Sequence, residues 1–213
     1  ESLKLHQADI VEFVRYIGSG FKELATNRSI KFSIESECPG MNIWFDDTKM
    51  QRILNNIYSN AFKFTPDGGL ISTIVATEKK DEKIFVRIEI SDTGCGISEK
   101  DLNVIFDRFY QSEPIPGVTG SGIGLHMVKE YVSLHNGKIE VHSKIGVGTT
   151  FLIYIPSDLK GDDSESKAPA MSPDVEEKVV YSDRKTILIV EDNVEFRRFL
   201  VEQLIGQFNI LEA

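Results

Sequence analysis

The sequence predicts an α/β fold, and three observations carry that expectation. Two stretches place apolar residues at helical steps. Seven shorter runs before Pro156 alternate apolar and polar residues or are rich in β-branched ones. The two kinds are interleaved along the chain, with turn residues between them. Residues 2–6 alternate as a short strand, after which Asp9-Ile-Val-Glu12 reads as a capping box opening a helix. Ile10, Val14, Ile17, Phe21 and Leu24 form one stripe on that helix, too short for a coiled coil and suited to packing on a sheet. Lys31–Glu35 and Met41–Phe45 are predicted strands. Asp46 or Asp47 caps a second helix running to about Lys63, stopped by Thr65-Pro-Asp-Gly-Gly69. Leu70–Thr77 and Lys83–Ser91 then read as an antiparallel hairpin.

A glycine-rich stretch from Asp92 to Gly124 follows, interrupted by a short helix capped by Ser98. A helix from about Gly122 to Leu134 ends at Asn136-Gly137. Strands Lys138–Ser143 and Thr149–Ile155 flank the turn Gly146-Val-Gly148. At Pro156 the composition changes. Residues 157–184 have the polar, charged make-up of a linker. Residues 185–213 resume with the apolar run Lys185–Val190, typical of a buried parallel strand, and an amphipathic helix.

The 213 residues carry 24 basic and 33 acidic side chains, a formal charge of −9. That balance argues against nucleic acid as a partner, which demands a basic face. Apolar residues make up 41 % and no run approaches a membrane span, so a soluble globular chain is expected. Cys38 and Cys95 show no metal-ligand spacing, and a chain of this size needs no disulfide, which suits a reducing, cytosolic setting. The first residues lack the basic start and apolar core of a signal peptide and read as the start of a fragment cut from a longer protein.

Four clusters carry chemistry, and their order matters more than any one of them. On the second helix Asn56, Asn60 and Lys63 stand at i, i+4 and i+7 and share one face. Amide oxygens can ligate a hard cation and a lysine can offset phosphate charge, although many polar helix faces simply meet solvent. Asp92-Thr-Gly94-Cys-Gly96-Ile97 follows a strand directly. Its glycines let the backbone approach a planar base, and the Asp92 carboxylate can accept from an exocyclic amine, which favours adenine. Val104–Tyr110 contains Phe106 and Phe109, a spacing found more often in cores. Gln111–Thr119, with two prolines, suits a mobile flap. Gly120-Ser121-Gly122-Ile123-Gly124-Leu125 enters a helix, where glycine amides and the helix dipole make a phosphate cradle. No Walker lysine is present, and the segment before this cradle is no Rossmann strand.

In this order the clusters resemble the N, G1, F and G2 boxes of the catalytic ATP-binding domain of sensor histidine kinases, over about Leu3 to Pro156. The resemblance implies the Bergerat-type two-layer α/β sandwich of the wider GHKL superfamily, with helices over one side of a mixed sheet and ATP under a lid. It assigns Mg²⁺ ligation to Asn60, the phosphate and metal side to Asn56, and phosphate contact to Lys63. Asp92 would hold the adenine amine, with Gly94, Gly96 and Ile97 shaping that wall. Thr149 or Thr150 would support Asp92, directly or through water, and the sequence does not choose between them. Phe106 and Phe109 would anchor the lid and Tyr110 border the base. Gly120, Ser121, Gly122, Ile123, Gly124 and Leu125 would serve the phosphates, and Arg108 the transferring phosphoryl group. The ATP-hydrolysing gyrase, MutL and Hsp90 types carry a Glu four residues before the metal-binding Asn. Asn56 stands there instead and cannot act as a general base. A neutral imidazole needs none, so transfer to histidine fits and fast hydrolysis does not.

None of His6, His126, His135 and His142 sits in the family's phosphoacceptor setting. His6 reads as surface, His126 as an incidental helix position, and His135 and His142 as structural. The resemblance thus implies an acceptor histidine on a dimerisation domain preceding these residues, a homodimeric parent, and an anchor in a bacterial inner membrane. Ile187–Asn193 resembles the first strand and acidic pair of a response-regulator receiver domain, in which Glu191 and Asp192 would help hold Mg²⁺. Residues 185–213 stop near the expected second strand. Such a remnant is too small for a core of its own, so disorder or packing on another surface is expected. The parent then reads as a hybrid kinase. Two other readings compete: a hydrolytic ATPase of the same superfamily, and a non-catalytic nucleotide-binding or docking module.

Overall fold

The computed structural model describes residues 2–80, 83–110, 122–160, 186–189 and 209–212. The chain divides into two compact units, Glu1–Ser166 and Lys167–Ala213. In the first, strand β1 (His6–Asp9) leads into helices α1 (Ile10–Ser19) and α2 (Lys22–Asn27). Then come β2 (Lys31–Ser36), β3 (Asn42–Phe45), α3 (Asp47–Phe64), β4 (Leu70–Lys80) and β5 (Lys83–Asp92). The short α4 (Glu99–Leu102), α5 (Gly124–Leu134), β6 (Lys138–Lys144) and β7 (Gly148–Pro156) complete it.

Five strands form one sheet in the order β2-β4-β5-β7-β6. The β2–β4 pairing is parallel and the other three are antiparallel, so the sheet is mixed. β1 and β3 make a separate antiparallel pair. Along β5 and β7 the side chains alternate strictly: Val86, Ile88 and Ile90 share a buried face with Phe151, Ile153 and Ile155. The stripes of α1, α3 and α5 cover that face, with Val14, Ile53, Leu54, Ile57 and Val128 fully buried among them. Each such side chain contributes about 1.5–3 kcal/mol by leaving water. A second cluster under α2 gathers Ala25, Ile30, Phe62 and Ile71, with Phe21 stacked on Phe62.

Several local expectations are corrected. The first strand is His6–Asp9 rather than residues 2–6, because its partner is the strand that buries Ile43 and Phe45. The first helix is two helices. Gly18 lies where any Cβ would strike Ile34, and Gly20 closes α1 with its N–H on the carbonyls of Ile17 and Gly18. Beyond that break Leu24 leaves the stripe and is 41 % exposed, while Ala25 is buried. Asp9 caps α1 by accepting from the N–H groups of Val11 and Glu12, but Glu12 pairs with Arg15 instead of completing a box. α5 starts at Gly124 because Gly122 has φ +68°, outside any helix. His142 points outward, its side chain 68 % exposed.

In the second unit, β8 (Thr186–Ile189) pairs in parallel with β9 (Asn209–Glu212). Among the described residues no helix is long and apolar enough to cross a membrane.

Candidate nucleotide site

The site is built on the polar face of α3. Asp46 caps that helix: Oδ1 accepts from the Lys49 N–H (2.9 Å), and Oδ2 from the Lys4 N–H (2.9 Å) and the Lys49 ammonium (3.1 Å). Burial alone would push this carboxyl up. The two amide donors and the ammonium outweigh it, and the group is held below its ordinary value. Met50, Ile53, Leu54, Ile57, Tyr58, Ala61 and Phe62 turn α3 into the core, which leaves Asn56, Asn60 and Lys63 half-buried on the opposite side. The Asn56 amide nitrogen donates to the Arg52 carbonyl at 2.8 Å, which fixes the orientation of its side chain. Its oxygen then faces the first residue of α5, and a Cβ on Gly124 would overlap that oxygen and lie 3.3 Å from Cγ. The glycine is what lets the α5 N-terminus rest on Asn56. The Lys63 ammonium lies 5.1 Å from the Phe64 ring centre.

Asp92 is the last residue of β5, in register with Thr149 of β7. Its Oδ1 accepts from the Gly94 N–H at 2.7 Å, and the Thr149 N–H also bonds to this carboxylate. Burial is the largest influence here and is only partly offset, so the carboxyl sits above its ordinary value. Gly94 packs against the end of α3, where a Cβ would come within 2.8 Å of the Phe64 carbonyl oxygen. Gly96 has φ +73° and abuts the Lys144 carbonyl, so neither its conformation nor its space admits a side chain. Ile97, half-buried, donates its N–H to Ser143 Oγ at 2.8 Å. Thr149 lies beside Asp92. Thr150 faces the other side of the sheet, its hydroxyl 2.9 Å from that of Ser91.

Phe106 packs edge-on to Phe151, with ring centres 6.5 Å apart, and its carbonyl oxygen lies 3.2 Å from His126 Nδ1. Phe109 does not anchor in the same way: it is 64 % exposed at φ +66°, with the Arg108 guanidinium 5.2 Å from its ring. Tyr110 donates its hydroxyl proton to Asp101 at 2.6 Å. The Phe109 N–H donates to the Gly122 carbonyl at 3.0 Å, and this bond joins the residues on either side of 111–121. Leu125 packs against the main core, and Ile123 is half-buried beside it. Gly120, Ser121 and the flap Gln111–Thr119 lie outside the described residues, as do Glu191 and Asp192.

Two supports of this site are residues that the motifs do not single out as site residues. His135 is fully buried, with Nδ1 2.7 Å from the Tyr131 carbonyl and Nε2 accepting the Asp46 N–H at 3.0 Å. These bonds assign the neutral tautomer with its proton on Nδ1, and burial lowers its pKa below the ordinary value. Ser143 is the second. Its signal in the sequence is a hydroxyl at the position on β6 where Ile139 and Val141 predict another apolar residue.

The cradle tests whether a nucleotide fits. Gly94, Gly122 and Gly124 all stand where a Cβ would crowd the backbone or a polar side chain, the Asp92 acceptor is half-buried at the sheet end, and amides line the helix face. These features suit a planar base with a donor amine at one end and a polyphosphate at the other. Fold and site together define a GHKL-type α/β domain. A sequence profile described as "Histidine kinase-, DNA gyrase B-, and HSP90-like ATPase" matches residues 45–159, and the chain belongs to that family. It is 33 % identical to histidine kinase P4 of Formosa agariphila, over all of this chain and 17 % of that protein. To sensor histidine kinase TmoS of Ectopseudomonas mendocina it is also 33 % identical, over 99 % of this chain and 24 % of that one. The chain thus spans a quarter or less of these relatives. Among solved structures, the catalytic domain of histidine kinase ThkA superposes with a TM-score of 0.63 at 23 % identity, covering 73 % of this chain and 99 % of that one. Full-length ShkA gives 0.64 at 21 % identity, covering all of this chain and 41 % of its own.

Proposed function

We propose that the first unit binds Mg-ATP and transfers the γ-phosphoryl group to a histidine on a dimerisation domain elsewhere in the parent protein, as one step of two-component signalling. The observation that carries this is the contact between Asn56 and Gly124, which sets the amide face of α3 against the N-terminus of α5. ATP supplies the phosphoryl group; the chain's residues bind, orient and shield it. Asp92 accepts from the adenine amine, with Thr149 beside it and Gly94, Gly96 and Ile97 forming the wall. Asn60 ligates Mg²⁺, Asn56 orients the phosphate side, and Lys63 offsets charge. Gly120 through Leu125 offer amides to the phosphates, Phe106, Phe109 and Tyr110 border the lid, and Arg108 serves the transferring group.

Asn56 is also what favours transfer over hydrolysis, since a neutral amide cannot take a proton from water and an imidazole acceptor does not require it to. The parent is then a homodimeric, membrane-anchored hybrid sensor kinase. Residues 185–213 begin a receiver domain, with Glu191 and Asp192 as its Mg²⁺ pair. The parallel pairing of Thr186–Ile189 with Asn209–Glu212 supports that last reading, because parallel neighbours require a crossover connection.

The test is calorimetry of Mg-ATP and Mg-ADP against the native chain and Asp92→Asn. Losing a charge-assisted hydrogen bond lowers affinity by about 10- to 100-fold. Phosphotransfer to a separately supplied acceptor domain is the second readout. A folded native chain that binds neither nucleotide refutes the proposal and leaves a docking module. ATP turnover unchanged by Asn56→Ala favours the hydrolytic ATPase.

A further inference from the structure

Asp92, Thr149 and Ser143 lie in one register row across β5, β7 and β6, and alternation places their side chains on one face of the sheet. Among the described residues the Ser143 hydroxyl has three neighbours at hydrogen-bond distance. It accepts the Ile97 N–H at 2.8 Å, lies 2.8 Å from the Gly148 carbonyl oxygen, and lies 2.9 Å from Thr149 Oγ1. A carbonyl oxygen can only accept, so the single Ser143 proton is committed to Gly148. The approach of Thr149 Oγ1 to Ser143 Oγ also requires a proton between them, and the only one left is that of Thr149. Thr149 is 7 % exposed, so solvent offers its hydroxyl little competition. The hydroxyl polarity of the row is therefore fixed: Thr149 donates to Ser143, and Ser143 donates to the backbone.

From this we infer that Ser143 is a specificity-determining positioning residue. By taking the Thr149 proton it leaves Thr149 Oγ1, like the Asp92 carboxylate beside it, with lone pairs only. The inference rests on the nucleotide reading of the site and deepens it. A wall made only of acceptors selects a base edge, or a water bound to one, that donates. The C6 amine of adenine donates, whereas the C6 carbonyl of hypoxanthine or guanine meets lone pairs with lone pairs. Ser143 touches no ligand in this scheme and acts through Thr149. Its bond to Ile97 gives it a second effect, holding the wall of the base site. That effect lowers affinity for all bases alike when the bond is lost and leaves their ratio unmoved.

The discriminating measurement is the ratio of Mg-ATP to Mg-ITP affinity, by calorimetry on the full chain. The native protein favours ATP by at least about tenfold, because a site built to receive a donor rejects the analogue lacking it. In Ser143→Ala the Thr149 proton is released and can serve the C6 carbonyl, so the ratio falls about fivefold, the worth of one neutral hydrogen bond. Ser143→Thr keeps the hydroxyl and restores the ratio. Thr149→Val removes the acceptor while keeping the shape, and it lowers the ratio by a similar factor. That variant decides the matter if Ser143→Ala does not fold. A ratio unmoved in Ser143→Ala or Thr149→Val, even with both affinities weakened, overturns the inference and leaves Ser143 structural. An equal fall in Ser143→Thr overturns it too. Failure of the folded native chain to bind ATP removes the nucleotide reading itself, an outcome distinct from ATP binding with an unmoved ratio.

Discussion

Replacing Gly124 by alanine separates the fold from the site. An alanine Cβ would overlap Asn56 Oδ1 and lie 3.3 Å from Cγ, so the amide must retreat by roughly 1 Å to reach an ordinary contact. The obstructing atom is the end of a flexible side chain, which makes the retreat inexpensive for folding. Asn56 gives up its bond to the Arg52 carbonyl, a loss of about 1 kcal/mol. The first residue of α5 gains about 0.5–1 kcal/mol of backbone preference on losing the glycine. The two nearly cancel, so the unfolding free energy from urea titration should stay within about 0.5 kcal/mol of native. The nucleotide sees no such cancellation. The displaced group is the amide proposed to border the phosphate side, and on that proposal a shift of about 1 Å there costs on the order of 10- to 100-fold. Urea titration and Mg-ATP calorimetry on the same preparation give both numbers. Native affinity in a native-stability Gly124→Ala chain would falsify the role given to Asn56. A destabilisation above about 2 kcal/mol would show that the amide cannot move aside.

Two further perturbations concern the ends of α3. Arg28 donates to the carbonyls of Phe62 and Thr65, the latter at 2.8 Å, and pairs with the exposed Asp67. Arg28→Ala leaves those carbonyls at a helix C-terminus without their cation and should cost about 2–3 kcal/mol in denaturant titrations, with Arg28→Lys recovering only part. Native stability in Arg28→Ala would refute the capping role. His135 is neutral in the fold with its pKa lowered, so the unfolded chain takes up the proton first as pH falls. Its contribution is complete above the ordinary value of 6.5 and declines as pH drops below it toward the folded-state value. His135→Leu should cost about 2–4 kcal/mol at neutral pH, since it strands the buried Asp46 N–H, and should flatten the pH slope that His135 itself imposes. An unchanged slope between pH 7.5 and 5 would assign that titration to other groups.

Much of the architecture was legible because its signals are local. The alternation within Lys83–Ser91 and the stripe Ile10, Val14, Ile17 need no partner to be read. Two caps were equally plain, since Asp9 and Ser98 accept from backbone N–H groups as expected, and of Asp46 and Asp47 it is Asp46 that caps α3. The errors came where a local break or a distant contact overrode the pattern. The helical stripe through Leu24 was broken at Gly20, where α1 ends and α2 starts anew at Lys22. The first strand moved because its register belongs to Asn42–Phe45. Within the site, the choice between Thr149 and Thr150 depends on which residue pairs with Asp92. That is a fact of sheet register, where a slip by one reverses every face. Phe109 is 64 % exposed and has φ +66°, and the residue type gives no hint of either.

The clusters legible in sequence, Asn56, Asn60 and Lys63 above all, say what α3 offers but not what holds it in register. That hold is made at both ends by side chains far away along the chain. At the N-terminal end the Asp46 N–H is taken by His135, 89 residues on. At the C-terminal end Arg28 takes the carbonyls of Phe62 and Thr65, reaching across 34 and 37 residues. Between them Tyr58 fixes the middle of the helix to the sheet, its hydroxyl 2.9 Å from Thr73 Oγ1 and its pKa raised to about 12 by burial. A helix held only by its apolar stripe can slide by a fraction of a turn at modest cost, since hydrophobic contact is non-directional. Hydrogen bonds at both termini and the middle remove that freedom. The three polar side chains, about 10 Å apart from first to last along the axis, then keep a fixed offset from the α5 N-terminus and from Asp92. Single losses at either end should thus change ATP affinity less than stability, whereas losing both ends together should lower affinity by more than the product of the two single effects.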